Sequence, residues 1–199
     1  HQDRGYYRES SRLLWRLPMI GSAFRKTFRD PLLRRTRGVL IEPEHMIICP
    51  KAESLDTAPR FTHRYEKTPN ELRKLMAMGH YRRIALADGG QSDEDEVTDA
   101  RYEAIGIDPG GAMADDSEPR TIFEVYCELD LPGHEDEADG ELTGIELPYM
   151  VVIDEATTEV LAIFRNWSED DELRQREMYF TSYEFVPGFG PYGYGLFHL

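Results

Sequence analysis

The densest group of potential metal ligands lies in the acidic stretch 132–146. If residue 135 is taken as position one of a calcium-binding loop, acids stand at positions one, three, five and twelve, and a glycine stands at position six. These acids are Glu135, Glu137, Asp139 and Glu146. The match is imperfect, because Glu replaces Asp at the first two ligand positions and predicted strands, not helices, flank the stretch. We therefore favour an exposed acidic loop over a calcium site, and we predict neither a metal nor any other cofactor.

A glycine pattern near the end of the chain matches the G-x-G-x-x-G motif of dinucleotide-binding loops. Its glycines are Gly188, Gly190 and Gly193, and they follow a predicted strand. Such a loop works between a parallel strand and a helix, with an acidic residue about 20 positions later. The chain ends first, its strands look antiparallel, and the side chains of Phe189 and Tyr192 would crowd a pyrophosphate. The glycines therefore do not predict a nucleotide site.

Motifs of well-known catalytic spacing are missing from the sequence. It contains no G-x-S-x-G, H-E-x-x-H, P-loop or paired C-x-x-C motif. His63 has no second His or Cys at ligand spacing, which favours a structural role. Cys49 and Cys127 lie far apart in apolar runs, which favours two buried free thiols over a disulfide. We predict that the chain is not an enzyme, while a chance pair of carboxylates keeps a small acidic metal-dependent hydrolase as an alternative.

Three arginines spaced four residues apart lie on the first predicted helix, residues 5–17. Arg8, Arg12 and Arg16 share one face of this amphipathic helix, and Pro18 is expected to end it. Such a stripe can contact phosphate, but it is more often a solvated face or a surface that meets an acidic neighbour. The stripe is therefore a candidate interface.

The rest of the first 83 residues is predicted to mix short strands with one well-signalled helix. The strands cover residues 21–28, 39–41, 46–49 and 60–65. The helix covers residues 68–79, because Thr68 can cap its start, Glu71 completes a capping box and Gly79 supplies a left-handed end.

The acidic part that follows, residues 84–119, is predicted to contain a helix over 92–105 and a flexible loop over 108–119. Beyond it, alternating apolar and polar residues predict an antiparallel meander of about four long strands. These strands cover residues 121–131, 149–153, 160–165 and 179–186. The predicted fold class is thus α+β, with mainly antiparallel strands and a few short helices. The chain divides into parts 1–83, 84–119 and 120–199 of one compact fragment.

Charge is distributed very unevenly along the chain. Residues 1–83 hold 18 Lys and Arg against 9 Asp and Glu, a net charge of +9, whereas residues 84–199 hold 5 against 29, a net charge of −24. Long acidic loops account for much of this difference. The alternative explanation is electrostatic attraction between opposite halves of neighbouring copies. The total of −15 argues against nucleic-acid binding by the whole chain, and no apolar run is long enough to span a membrane.

The last stretch, residues 179–199, joins a predicted strand to a glycine-rich and aromatic segment. The aromatic residues after the strand are Phe189, Tyr192, Tyr194 and Phe197. The chain stops there in apolar sequence and starts without Met, so we expect it to be part of a longer protein. The segment is predicted to be a hinge whose aromatic side chains are exposed, because their packing partners would lie outside this chain.

Four stretches of the sequence carry a resemblance to a known family. They are LLWRLPMIGSAFRKTF (13–28), LDTAPRFTHRYEKTPNELRKLMAMGHYR (55–82), VYCELDLPGHEDEADGELTGIELPYMVVIDEATTEVLAIFRNW (125–167) and YFTSYEFVPGFGPYGYGLFHL (179–199). Together they resemble the portal proteins of short-tailed bacteriophages and related prophages. They span more than half of the chain and follow the order found in the family, whereas residues 84–119 lie outside the resemblance.

The resemblance implies a structural protein, the subunit of a dodecameric ring at one vertex of the capsid. DNA is packaged and ejected through the channel of such a ring, which also meets terminase, capsid and tail-adaptor proteins. This chain resembles the wing-like region that precedes the channel-lining helices, so DNA contact by this part is not specifically implied. The implied location is the virion, and the host cytoplasm during assembly. A generic cytosolic interaction domain is a further alternative.

Overall fold

The computed structural model describes residues 4–86, 119–138 and 140–198. The α-helices in these residues are Arg4–Ile20 (α1) and Pro69–Ala77 (α2), and short 3-10 turns cover Pro43–His45 and Leu196–His198. The strands are Ser22–Asp30 (β1), Arg35–Ile41 (β2), Met46–Ile48 (β3), Phe61–Lys67 (β4), Arg120–Leu129 (β5), Glu137–Ala138 (β6), Glu141–Leu142 (β7), Leu147–Asp154 (β8), Val160–Arg165 (β9) and Phe180–Glu184 (β10). The predicted α+β class with mainly antiparallel strands is confirmed.

Helix α1 is longer than the helix predicted over residues 5–17. It runs through Pro18 and ends at Ile20, so the expectation that Pro18 ends it is wrong. Proline has no N–H to donate to the carbonyl of Leu14 and its ring crowds that carbonyl, so the helix continues for only two residues beyond Pro18. Gly21 ends the helix instead, because its φ of 96° is left-handed and its N–H donates to the carbonyl of Leu17 at 2.8 Å.

A three-stranded sheet places β1 between β10 and β2. Both neighbours are antiparallel to β1, and Lys26 lies opposite Phe180 on one side and Val39 on the other. Strand β10 is therefore not the fourth strand of a C-terminal meander, and that prediction is wrong for its last strand. An alternating pattern predicts that a strand exists, but the partner depends on contacts that are distant in the sequence.

A five-stranded sheet has the order β3-β4-β5-β8-β9. Strands β5, β8 and β9 are successive neighbours in this order, as predicted for the first three strands of the meander. Strand β3 pairs antiparallel with β4, with Ile48 opposite Phe61. Between β5 and β8, the short strands β6 and β7 pair as a separate two-stranded hairpin.

The chain divides into two compact units. The first contains His1–Arg64, Glu124–Val151 and Ile163–Leu199, and the second contains Tyr65–Phe123 and Val152–Ala162. The core of the first unit is aromatic. The ring of Phe61 stacks on that of Tyr126 with centroids 4.7 Å apart, and the ring of Phe180 meets both of them edge-on. Large rings in these geometries stabilise a core beyond the area that they bury.

The second unit contains α2 and a buried ion pair. The predicted capping box is confirmed, because Thr68 Oγ1 accepts from the N–H of Glu71 at 3.3 Å and the Glu71 carboxylate accepts from the N–H of Thr68 at 3.0 Å. At the end of β8, the fully buried Asp154 accepts two hydrogen bonds from Arg120, at 3.1 and 2.6 Å. Burial would raise the pKa of Asp154, but the bonds from Arg120 and Thr157 outweigh it and lower that pKa.

Both cysteines are free thiols, as predicted, although each is half-buried rather than buried. Burial raises the pKa of the Cys127 thiol, which makes it a weaker nucleophile than an exposed cysteine. The predicted helix over residues 92–105, and all but the last residue of the predicted loop over 108–119, lie outside the described residues.

Candidate interaction surfaces

The outward face of α1 carries a groove of about 490 Å³ between its own side chains. The residues that line this α1 groove are Tyr7, Arg8, Ser11, Arg12, Trp15 and Arg16. The side chains of Tyr7 and Trp15 are 80% and 81% exposed, although large aromatic residues are usually well buried. Leu13, on the opposite side of the helix, is buried. The three arginines of the predicted stripe thus share one groove with two aromatic rings, which the spacing of the arginines did not reveal.

The arginines of the α1 groove differ in their partners. Arg16 forms an ion pair with Glu42, and Arg12 forms one with Glu9 at 3.4 Å. Arg8 is exposed and forms no ion pair within the part of the chain that the structure describes. Because exposed pairs contribute only about 0–1 kcal/mol, Arg12 exchanges its partner readily. The positive charge that a partner could use is therefore concentrated at Arg8 and Arg12.

Two basic residues of β1 are buried, in contrast to those of α1. The guanidinium of Arg25 donates to Ser10 Oγ at 3.1 Å and lies 4.2 Å from the centre of the Tyr6 ring. The ammonium of Lys26 donates to the carboxylate of Glu124 inside the first unit. Both contacts replace hydration that the cations lose on burial. These cations stabilise the fold, and neither is available to a partner.

A buried polar cluster forms where Glu124 meets Lys26 and His63. His63 Nδ1 lies 3.2 Å from Glu124 Oε2. Burial alone would raise the pKa of Glu124, but the Lys26 ammonium and the hydrogen bond from His63 outweigh it and lower that pKa to about 2. Burial also lowers the pKa of His63, so its ring is neutral at pH 7 and donates through Nδ1–H. His63 therefore has a structural role, as its isolation in the sequence predicted.

The glycine-rich and aromatic segment packs onto the start of β1. The N–H of Gly193 donates to Ser22 Oγ at 2.7 Å. A methyl group on Gly195 would lie 2.3 Å from the carbonyl oxygen of Met19, so the backbone can approach α1 closely only because no side chain is present. Gly193, one of the glycines that formally matched a nucleotide motif, and the neighbouring Gly195 thus serve close packing between backbone segments.

The four aromatic residues of this segment lie in different environments. Phe189 is fully exposed and Phe197 largely so, as predicted, while Tyr194 is only partly exposed. Tyr192 contradicts the prediction, because its ring packs against the core and its hydroxyl donates to the carbonyl of Met46 at 2.6 Å. A phenol ring is readily buried once its hydroxyl has an acceptor. Only part of the predicted hinge is therefore exposed.

The stretch 135–146, whose acids match the spacing of a calcium loop, contains the β6–β7 hairpin. Glu135 accepts from the N–H of Gly133 at 2.7 Å, whereas Glu137 and Glu146 are exposed. Asp139 lies outside the described residues. The three described carboxylates do not form one of the groups that are close enough together to hold an ion. This geometry agrees with an exposed acidic loop.

A second acidic segment, residues 168–173, forms an ordered turn that displays a leucine. The carboxylate of Asp171 organises it by accepting from the N–H of Leu173 at 3.1 Å and from the N–H of Gln175 at 2.7 Å. The exposed acids of this acidic turn are Glu169, Asp170 and Glu172. The side chain of Leu173 is 76% exposed. The composition indicated only a charged loop, and the signal that could have marked a surface is the leucine within the acidic run.

One group of potential metal ligands was not predicted. Among the described residues, donor atoms of Glu42, Glu44 and His45 lie within 4.8 Å of one another. All three residues are at least partly exposed, and Arg16 already pairs with Glu42. The run E-P-E-H was the signal in the sequence. Carboxylates on a surface often gather without an ion, so this group alone does not define a metal site.

No protein-family model matches this sequence, and no curated protein matches it. In the part of the chain that the structure describes, no helix is both long enough and apolar enough to cross a membrane.

Proposed function

We propose that this chain is the wing-like part of a bacteriophage portal subunit, a structural component of the ring through which DNA enters and leaves the capsid. In this proposal the chain performs no catalysis. It forms an α+β body that presents surfaces to neighbouring subunits and to other proteins of the virion. The full-length subunit forms a dodecameric ring, assembled in the host cytoplasm and retained in the virion.

The pairing of β1 with β10 is the observation that carries the proposal. The first and fourth stretches that resemble portal proteins, residues 13–28 and 179–199, lie near opposite ends of the chain. Strands from both stretches are nevertheless neighbours in one sheet, and Gly193 bonds to the first residue of β1. If each stretch resembled the family only by chance, there would be no reason for the two stretches to be neighbours in the fold. Their convergence supports a resemblance that extends over a folded body.

The distribution of charge supports a structural role over a catalytic one. In each unit a buried cation is paired with a buried carboxylate, Lys26 with Glu124 and Arg120 with Asp154. A catalytic acid or base must come within hydrogen-bond reach of a substrate, and these side chains are buried. Exposed arginines and aromatic rings gather in the α1 groove, and this composition is typical of protein–protein interfaces.

The proposal is tested by expressing the whole gene product that contains this chain and imaging it by electron microscopy. A closed twelvefold ring with a central channel is expected. A product that stays monomeric at every concentration, or that forms a closed shell, contradicts the proposal. Deleting the gene should leave capsids without packaged DNA, so normal packaging in its absence would also count against a portal.

A small acidic metal-dependent hydrolase is the alternative from another class, and the grouping of Glu42, Glu44 and His45 is the observation that favours it. A ligand that binds only the folded state raises the melting temperature. Titration with Ca²⁺, Mg²⁺ and Mn²⁺, with KCl of equal ionic strength as the control, separates the two proposals. The hydrolase requires a specific rise that Glu42→Gln with His45→Gln abolishes, whereas the portal wing requires none.

A generic cytosolic interaction domain is the third possibility. It needs the same kinds of surface as a portal wing and differs from it only in context. Genes for capsid and terminase proteins beside this gene favour the portal, and their absence favours the generic domain.

A further inference from the structure

The α1 groove and the acidic turn have complementary chemistry. The groove, lined by Tyr7, Arg8, Ser11, Arg12, Trp15 and Arg16, places cations beside exposed aromatic rings. The acidic turn, residues 168–173, places carboxylates beside an exposed leucine. Both surfaces belong to the first unit, and no ion pair joins them in the described residues of one chain. Each surface therefore presents the features that the other lacks.

We propose that the α1 groove of one copy of this chain binds the acidic turn of a second copy. Leu173 of the second copy packs on the exposed ring of Trp15, and the carboxylates beside that leucine face Arg8 and Arg12. The contact deepens the proposed function and rests on it, because it requires the chain to meet copies of itself. It also assigns a role to the charge difference between residues 1–83 and residues 84–199.

Preorganisation makes the acidic turn a suitable ligand. Asp171 fixes the backbone on both sides of Leu173 through its two hydrogen bonds. The next residue, Arg174, is anchored by an ion pair with Asp136. A segment that is already ordered loses less conformational entropy on binding than a flexible one. The leucine and the acids are thus held in place before a partner arrives.

Charge complementarity favours a second copy over a nucleic acid as the occupant of the groove. The net charge of the whole chain is −15, which disfavours association with a polyanion. The acidic turn brings few carboxylates, all beside one apolar side chain that matches the aromatic rings. Its charges are confined to the region where Arg8 and Arg12 can neutralise them.

The contact is heterologous, because the groove and the turn are different surfaces. An open series of such contacts keeps one free groove at one end and one free turn at the other, and it closes into a ring when the rotation allows it. A single contact between isolated copies is weak. Closing a ring adds a last contact that forms within one assembly, and this intramolecular contact strengthens the whole.

The test is a charge exchange followed by analytical ultracentrifugation from micromolar to millimolar concentration. The groove variant carries Arg8→Glu and Arg12→Glu, and the turn variant carries Glu169→Lys and Glu172→Lys. Each variant alone should self-associate at least about tenfold more weakly than the wild-type chain. An equimolar mixture should recover association, because both the natural contact and its charge-reversed counterpart then form between the two variants.

The control variant Arg29→Glu with Arg35→Glu makes the same charge change at exposed arginines outside the groove. It should associate as the wild-type chain does. The uncharged variant Leu173→Ser should weaken association without changing the charge. Wild-type chain that remains monomeric throughout, an equal loss in the control, or a mixture that does not recover would each overturn the proposal.

A labelled thymidine oligonucleotide tests the rival occupant. Binding that is lost in the groove variant and kept in the turn variant would assign the groove to single-stranded nucleic acid and overturn the second-copy proposal. Imaging of the full-length gene product distinguishes a failure of the groove–turn contact from a failure of the portal proposal. An intact ring built from the groove variant overturns this contact and leaves the portal proposal standing, whereas the absence of a ring from the wild-type product overturns the portal proposal itself.

Discussion

Helix α1 and strand β1 follow one another in the chain and are both rich in basic residues, but two cations of β1 are buried whereas those of the α1 groove lie on the surface. Strand β1 buries Lys26 against Glu124 and Arg25 against Ser10 and an aromatic ring. Helix α1 leaves Arg8 and Arg12 on its outward face. Positive charge in the sequence therefore does not distinguish cations that hold the fold from cations that can meet a partner.

The difference follows from the free energy of burying a charge. Removing an ammonium from water costs several kcal/mol, and a well-placed carboxylate is needed to offset this cost. Lys26 has such a carboxylate and is committed to it. The arginines of α1 remain hydrated, so a partner can bind them without first breaking a buried pair.

Removing the buried carboxylate should have the largest effect. Glu124→Leu leaves the ammonium of Lys26 buried without its partner, and we expect the free energy of unfolding to fall by about 3–5 kcal/mol. Urea denaturation measures this loss. The double variant Lys26→Met with Glu124→Leu is the control and should lose much less, because no unpaired charge remains. Equal losses in the single and double variants would mean that the unpaired ammonium of Lys26 is not the cause of the lost stability.

The junction between the two elements should tolerate no side chain. A methyl group on Gly21 would lie 2.2 Å from the backbone nitrogen of Gly195, and the φ of Gly21 is 96°. We expect Gly21→Ala to lower the free energy of unfolding by about 3 kcal/mol, through both the clash and the strain. Gly79 also has a positive φ, 76°, but nothing lies within 4 Å of an added methyl group.

Gly79→Ala is therefore the matched control for strain without a clash, and it should cost about 1 kcal/mol. Thermal and urea unfolding of both variants give the comparison. Equal losses in the two variants would contradict the close backbone contact between Gly21 and Gly195.

Acidification should act on the buried cluster in two steps. The pKa of His63 in the folded chain is below its unfolded value of 6.5, so the fold favours the neutral ring. As the pH falls below 6.5 the unfolded chain binds the proton first, and the free energy of unfolding declines by at most about 1.4 kcal/mol per pH unit. The pKa of Glu124 falls from 4.5 to about 2 on folding, so its contribution is present above pH 4.5 and is lost between there and about pH 2.

Urea unfolding of wild-type chain and His63→Gln, at intervals between about pH 7.5 and pH 5, isolates the first step. The wild-type chain should lose more stability over this interval than the variant. His80→Gln, which changes an exposed histidine, should follow the wild-type curve. Parallel curves for wild-type chain and His63→Gln would show that the ring does not change its protonation on folding.

The arginines of the α1 groove should have the smallest effect on stability. Arg8→Ala and Arg12→Ala should each change the free energy of unfolding by no more than about 0.5 kcal/mol, because both side chains lie on the surface. Leu13→Ala, on the buried side of the same helix, is the matched control and should cost about 2–4 kcal/mol. A loss at Arg8 comparable with that at Leu13 would mean that the outward face supports the fold.

The elements that could be predicted are those with complete local signals. Helix α2 has its cap at Thr68, its capping-box partner at Glu71 and a left-handed glycine at its end, all within a dozen residues. The strands follow from alternation, since side chains on a strand point to opposite faces in turn. Pro18 is a counterexample, because a local signal against the helix did not end it and the helix continues to Ile20.

The surfaces could be predicted only in part, and the physical reason is distance along the chain. The spacing of the arginines was enough to place Arg8, Arg12 and Arg16 on one face of a helix. That β10 pairs with β1, that Tyr192 packs against the core while Phe189 is exposed, and that Lys26 rather than Arg8 has a buried carboxylate all depend on residues far away in the sequence. Local hydrogen bonding and periodicity decide which elements form, whereas the environment of each charge and ring is decided by which elements come together when the core is buried.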